Sequence, residues 1–251
     1  MGRLMKAEWY RLKHSSGLFK LVIAIGIVSV AFIYLTELDI DLDVSKYSLA
    51  EHLNESTEMY FFIIYCLAVI SAVIIGTSYT NKLAYYEVMA GNKISAILLS
   101  KVLVSAVFLT VVYSVFLDLY WAVIGMSNGV GEITQLSLRF ILLAVVFFHV
   151  CSTSIFMATA IQHTAGAVFS YLRFSGFDIL LVFCIELFGN FSQEINTKIS
   201  DWFVMFELST VLRCEAKITN HLVFASVFGM LIEAVIWYVI SYVRMKKKLY
   251  N

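Results

Sequence analysis

Charged residues are scarce in this sequence, and proline is absent. Of its 251 residues, 14% are charged, 61% are hydrophobic and none is proline. A soluble domain usually has about 25% charged and about 45–50% apolar residues, because its large surface must be covered with polar groups. The composition therefore excludes a water-soluble enzyme and predicts an integral membrane protein.

The sequence also lacks a net charge, because 18 Lys and Arg residues balance 18 Asp and Glu residues. No overall basic field favours nucleic acid, so we expect no nucleic-acid partner. The four cysteines lie far apart and form no CxxC pair, which disfavours a disulfide framework or a metal site.

Motifs that bind metal ions or nucleotides are missing as well. The sequence contains neither the metal-ligating pattern HExxH nor the phosphate-binding loop GxxxxGK[ST]. We therefore expect no catalytic residue, no metal and no cofactor in this chain, and no ATP site of its own. Any energy source must come from another protein chain or from an ion gradient.

Long hydrophobic runs are what the sequence has instead. A helix needs about 20 mostly apolar residues to cross about 30 Å of hydrocarbon. The sequence predicts a single all-α domain with six membrane spans, the fifth being the least apolar. The spans lie at about 17–36, 59–81, 102–125, 140–161, 168–191 and 222–243.

The basic residues are distributed unequally between the two sides predicted by six spans. With the amino terminus in the cytoplasm, the inner side holds most of the Lys and Arg residues, as the positive-inside rule requires. Both termini are then cytoplasmic. An uncleaved anchor is favoured over a cleaved signal peptide, because no small-residue cleavage site follows the first span. The inner residues are Arg3, Lys6, Arg11, Lys13, Lys20, Lys82, Lys93, Lys101, Arg173, Arg244, Lys246, Lys247 and Lys248.

Residues 1–20 have the pattern of an amphipathic helix at the inner membrane surface. Met5, Trp9 and Leu12 recur at helical spacing and are flanked by cations. This helix either anchors the chain or packs against a cytoplasmic partner, and both interpretations stay open.

The second inner segment, 81–101, is long and apolar for a connecting loop. It favours a helix up to a turn at Gly91, with Leu83, Tyr86 and Met89 along one face. An exposed aromatic strip is typical of a docking surface. The alternative is a helix that lies on the lipid headgroups.

Two segments are predicted on the outer side. Residues 37–58 carry seven acids and one lysine and are interpreted as a solvated loop rather than a calcium site, since the glycine and final glutamate of an EF-hand are missing. The connection 192–221 includes an apolar stretch around Trp202 that is too short to span. It predicts a short interfacial or re-entrant helix.

Several polar residues fall inside the predicted spans, where a charge costs a few kcal/mol. One interpretation is that these residues form a proton relay or the polar lining of a translocation path. The other is that they are structural groups, protonated or paired inside the helix bundle. Arg173 is a candidate partner for the acids of the fifth span. His149 stands alone in its span and does not predict a metal site. The residues are Asp118, His149, Asp178, Glu186 and Glu233.

Taken together, these features resemble the ABC-2 type permeases. The start KAEWYRLKHS, the acidic outer loop and the pattern Glu87-x3-Gly91-Asn92-Lys93-x7-Lys101 are similar to that family's layout. A chain of this size resembles the separate membrane subunits of bacterial exporters for lantibiotics or phenol-soluble modulins.

The resemblance implies a dimer, expected to be a homodimer, in the bacterial plasma membrane. Two copies of a cytoplasmic ABC ATPase subunit would bind ATP and Mg and drive export of a hydrophobic or amphipathic peptide. Segment 81–101 would be the coupling helix. The residues that contact the ATPase would be Tyr85, Tyr86, Glu87 and Gly91, with Trp9 and Leu12 beside them. The alternatives are a stand-alone proton-coupled carrier and a membrane scaffold or immunity protein without transport activity.

Overall fold

The computed structural model describes residues 1–39, 47–55, 57–177, 180, 183–184 and 198–250. Within these ranges every regular element is helical and no strand occurs, so the predicted all-α class is confirmed. A 3₁₀ turn precedes α4, and a π-helical turn at Arg173–Phe177 extends α8. The helices are α1 (Gly2–His14), α2 (Ser16–Asp39), α3 (Leu49–Glu55), α4 (Phe61–Thr80), α5 (Leu83–Met89), α6 (Ile94–Asn128), α7 (Leu136–Ile161), α8 (Gly166–Leu172), α9 (Val204–Leu212) and α10 (Asn220–Tyr250).

Four of the described helices are long and apolar enough to cross a membrane. They fall on the spans predicted at 59–81, 102–125, 140–161 and 222–243, as expected of a membrane protein. The four stretches are Phe61–Tyr79 in α4, Ile94–Asn128 in α6, Leu136–Ile161 in α7 and Asn220–Lys248 in α10.

The other two predicted spans, at 17–36 and 168–191, are not among these four helices. The span at 17–36 falls within α2, whose described apolar stretch is the shorter Lys20–Phe32. The span at 168–191 begins in α8 and its π-helical turn, and beyond Phe177 it lies mostly outside the described residues. Both spans therefore stay predictions.

Helix α7 lies at the centre of the bundle. Residues 149–160 of this helix are all buried, and α7 packs against α4, α6 and α10. Helix α8 begins very close to the backbone of α7. A Cβ atom added to Gly166 would lie only 2.6 Å from the Ala158 Cα atom. A glycine at this position is what allows the two backbones to approach so closely.

Helix ends meet at one end of the bundle, here called the α5 end. The last residues of α4, α7 and α10 lie together around Tyr79, Gln162 and Met245. Helix α5 joins them, since the Tyr85 hydroxyl donates a hydrogen bond to the Lys248 carbonyl oxygen at 3.2 Å.

The opposite end, here called the α9 end, is closed by Arg139 at the start of α7. Its guanidinium donates to the carbonyl oxygens of Val211 at 2.6 Å and Arg213 at 2.9 Å. A cation is favourable there, because the last carbonyl groups of a helix lack partners within the helix. The Ile218 amide, just before α10, donates to Gln135 Oε1 at 2.8 Å. The starts of α7 and α10 are therefore neighbours.

The predicted solvated loop at 37–58 is wrong for its second half, where α3 forms. Ser48 and Glu51 make a capping box: the Glu51 carboxylate accepts hydrogen bonds from the Ser48 amide at 2.8 Å and from its hydroxyl at 2.7 Å. The helix then buries Leu49, whose amide donates to the Gly129 carbonyl oxygen at 3.0 Å. Residues 40–46 of this segment lie outside the described part of the chain.

The connection 192–221 contains the short helix expected there, α9, and this helix buries an acid. Glu207 is almost fully buried, and its Oε1 atom has no hydrogen-bond partner among the described residues. Burial away from water disfavours the charged carboxylate and raises the pKa of Glu207 to about 8. The folded chain therefore holds a proton at Glu207 at neutral pH.

We expect the stability of the chain to fall as the pH rises from about 4.5 to about 8, because over this range the folded state binds a proton at Glu207 that the unfolded state has lost. Replacing Glu207→Gln should flatten this dependence and raise the unfolding temperature at pH 8. Thermal unfolding in detergent between pH 5 and pH 9 measures both effects. Equal pH slopes for the two proteins would contradict the prediction.

Candidate functional site

A buried lysine joins three helices at the α5 end. Lys101 of α6 is 1% exposed, and its ammonium group contacts the carboxylates of Glu8 on α1 and Glu87 on α5, the latter at 3.1 Å. Arg11 extends the set: it pairs with Glu8 at 2.7 Å and donates to the Ser78 hydroxyl of α4 at 2.5 Å. These five residues form the Lys101 cluster.

The two carboxylates of the Lys101 cluster are not equivalent. Burial alone would raise the pKa of Glu8, but Lys101 and Arg11 outweigh it and hold this pKa below its ordinary value. Burial also raises the pKa of Glu87, and there the attraction of Lys101 does not fully compensate. Glu8 is thus the firmly ionised partner, whereas Glu87 is the acid that protonates first as the pH falls.

Helix α5 presents the apolar strip expected from the sequence. Leu83, Tyr86 and Met89 are exposed, with Tyr86 at 64% and Met89 at 81%, and these three residues form the docking strip. The predicted turn is confirmed, because Gly91 has a φ of 82° and its amide donates to the Val88 carbonyl oxygen at 2.9 Å. Helix α5 therefore ends where the pattern indicated.

The amino-terminal segment differs in two respects from the predicted helix over 1–20. The helix breaks after His14, and α2 begins at Ser16. The face turned towards α6 is also different: Leu12 and Glu8 are buried, whereas Trp9 is half exposed and packs edge-on against Phe108 with ring centroids 5.9 Å apart. Glu8, paired with Lys101, thus shares the buried face with Leu12, and Trp9 lies at the edge of the contact with α6.

Sequence reasoning missed Glu8, Arg11 and Ser78 as parts of this site. One signal was available, since Glu8 is the only acid in the first 20 residues and lies three residues before Arg11. No comparable signal marks Ser78, whose role depends on the packing of α4 beside α1.

A second charged group lies inside the bundle and joins α7, α8 and α10. The Arg173 guanidinium donates two parallel hydrogen bonds to Glu233, from Nε to Oε1 at 2.9 Å and from Nη2 to Oε2 at 3.0 Å. His149 Nε2 contacts the same Oε2 at 2.9 Å. This set, the intramembrane triad, is the paired arrangement that makes buried charges tolerable.

The intramembrane triad borders a groove between α8 and α10 with a volume of about 800 Å³. Its walls are mostly apolar and aromatic, including Phe177, Trp202 and Trp237, while Arg173 and Glu233 supply the polar atoms. A groove of this size with a few convergent polar groups is typical of ligand sites.

The remaining predicted intramembrane residues do not join the intramembrane triad. Asp118 is exposed on α6, and the described residues give it no ion pair. Asp178 and Glu186 lie outside the described residues. Arg173, expected to pair with these acids, contacts Glu233 of the last helix.

One catalytic pattern is present in the sequence but not in its required setting. Residues 125–129 read GMSNG and match the GxSxG pattern of serine hydrolases. In those enzymes the serine occupies a sharp turn from a strand to a helix. Here Ser127 lies in the last turn of α6, so the match gives no argument for a hydrolase.

Comparison with known proteins leaves the family open. No family model matches the chain, and no curated protein matches its sequence. The arguments about function therefore come from the chain's own residues.

Proposed function

We propose that this chain is the permease subunit of an ATP-driven exporter of the ABC-2 type. It crosses the bacterial plasma membrane six times, pairs with a second copy and forms the path for a hydrophobic or amphipathic peptide. Two copies of a separate cytoplasmic ATPase subunit supply the energy. The docking strip on α5, held by the Lys101 cluster, is the observation that carries this proposal.

The positions of the helix ends support six crossings. Helix α7 finishes at the α5 end, whereas α10 starts at the α9 end beside the start of α7, which supports a fifth crossing between them. Helix α1 lies at the α5 end, and α3 reaches the α9 end, where Asn54 Oδ1 accepts a hydrogen bond from the Cys214 amide at 2.7 Å. These positions also support a first crossing by α2.

The charges support a cytoplasmic location for the α5 end. Helix α1 and the last turns of α10 lie there and carry basic residues, including the run Lys246–Lys248. The positive-inside rule places such ends in the cytoplasm, which puts both termini on the side where ATP is available.

The docking strip suits a protein partner. An apolar side chain as exposed as Met89 is costly in water, and its helix is fixed from behind by Glu87 and Lys101. A partner that pushes on α5 therefore moves α6 and α1 through ion pairs rather than bending a free loop. This is the mechanical property that a separate motor subunit requires.

The groove between α8 and α10 suits an amphipathic peptide. Its apolar walls match the apolar face of such a helix, and the intramembrane triad offers a polar contact at mid-bundle. A hydrophobic or amphipathic peptide is therefore the substrate class that this groove favours.

We expect Tyr86→Ala combined with Met89→Ala to reduce co-purification of a P-loop ATPase at least tenfold, because these variants remove exposed contact area and leave the Lys101 cluster intact. The measurement is a mild-detergent pull-down from native membranes with quantitative mass spectrometry. Val123→Ala with Met126→Ala, two exposed residues near the other end of α6, is the matched control and should retain the ATPase. Absence of an ATPase from the wild-type pull-down, or its full retention by the strip variant, would refute the proposal.

The intramembrane triad favours one alternative, a proton-coupled carrier that works alone. His149 Nε2 contacts the Glu233 carboxylate at 2.9 Å, and chains of histidines and acids inside membrane helices are typical of proton relays. This alternative predicts transport that follows the pH gradient in vesicles without any ATPase, whereas the exporter is inactive under that condition.

A further inference from the structure

A separate groove lies between α1 and α6 on the outer surface of the bundle. It has a volume of about 660 Å³ and almost entirely apolar walls. Met5 and Trp9 of α1 form one wall, Val107 and Val111 of α6 form the other, and Lys6 is at the rim. Because Val107 and Val111 are half exposed, an apolar ligand can reach the groove from the side.

The length of the groove matches one leaflet of a bilayer. Its α6 wall runs from Leu103 to Val112, which is about 14 Å at 1.5 Å per residue. This is half of the hydrocarbon thickness of about 30 Å. The wall starts just after Lys101, where α1 crosses α6, so the groove extends from the level of α1 towards the middle of the membrane.

The rim of the groove is positively charged. Arg3, Lys6 and Lys13 are exposed on α1, and Lys6, Trp9 and Lys13 share one face at i, i+3 and i+7. The only acid of α1, Glu8, is buried against Lys101. The accessible surface of α1 therefore carries cations whose charge no acid on that helix offsets.

We propose that this groove binds one anionic phospholipid of the leaflet on the α5 side. An acyl chain lies along Val107 and Val111, and the phosphate group is held at the rim by Lys6 and Lys13. Trp9 occupies the depth that indole rings prefer, at the boundary between headgroups and hydrocarbon. The site depends on the chain being in a membrane and is independent of what the chain transports.

The test measures phospholipid selectivity of the full chain. The chain is reconstituted in vesicles of equal phosphatidylglycerol and phosphatidylcholine, extracted in mild detergent and analysed by native mass spectrometry. We expect one retained phosphatidylglycerol per chain, with a preference of about tenfold over phosphatidylcholine. Lys6→Gln with Lys13→Gln should bring the preference close to parity, because each surface cation near anionic lipid contributes measurably. Val111→Trp should fill the groove and abolish retention of either lipid.

Two matched variants separate a specific site from general attraction. Lys246→Gln with Lys247→Gln removes the same charge from exposed positions of α10, and Val123→Trp adds the same bulk to an equally exposed valine of α6. Both should behave as wild type. Equal retention of the two lipids by the wild type, an equal loss in the α10 variant, or full retention by Val111→Trp would each overturn the proposal.

Discussion

Replacing Lys101→Met is expected to lower the free energy of unfolding by about 3–5 kcal/mol, the usual cost of removing one partner from a buried ion pair. Methionine has nearly the same length, so the loss comes from charge rather than volume. Without the ammonium group, Glu87 faces Glu8 with only Arg11 as a compensating cation. Thermal or denaturant unfolding in detergent measures the change.

A control substitution and a compensating substitution test whether the loss comes from charge. Lys93→Met alters an exposed lysine one residue before α6 and should change stability by less than about 0.5 kcal/mol. Adding Glu87→Gln to Lys101→Met should recover part of the loss, because Glu87 is then uncharged while Glu8 keeps its pair with Arg11. A double variant as unstable as the single one would show that packing, not charge, holds the three helices together.

Replacing Glu233→Leu is expected to cost a similar 3–5 kcal/mol. The carboxylate accepts two hydrogen bonds from Arg173 and contacts His149, and all of these are lost inside the bundle. Glu233→Leu with Arg173→Met should recover part of the stability. Asp118→Leu is the control: its carboxyl group is exposed in the apolar second half of α6, so its replacement should leave stability unchanged or raise it.

The same position also separates the two functional interpretations. Glu233→Gln keeps the shape of the side chain and removes its charge. In an ATP-driven exporter the rate of transport should keep its dependence on ATP, and a pH gradient alone should drive nothing. In a proton-coupled carrier the substitution should abolish the response to pH. Transport assays in vesicles, with ATPase present or absent, distinguish these results.

The parts of this molecule that the sequence predicts are those that depend on local composition. Spans such as 59–81 contain no charge over their length, and hydropathy is enough to find them. The turn at Gly91 and the docking strip follow from residues only a few positions apart. In each case the physical cause lies within one or two helical turns.

The parts that could not be predicted depend on contacts between distant residues. Glu8 and Lys101 are 93 positions apart, and His149 and Glu233 are 84 apart. Their pairing depends on how helices pack, and no local pattern encodes it. Helix α3 was missed for a related reason: its acidic composition is typical of a loop, while its stability comes from a capping box and from burial of Leu49 against the end of α6.

The residues of the intramembrane triad are synthesised at different times. Ribosomes add about 5–20 residues per second, so the 84 residues between His149 and Glu233 take roughly 4 to 17 s to synthesise. During that interval the carboxylate that pairs with Arg173 and contacts His149 does not yet exist. Helix α10 is thus the helix that completes the intramembrane triad. A chain truncated before that helix leaves a polar defect for quality-control proteases to recognise.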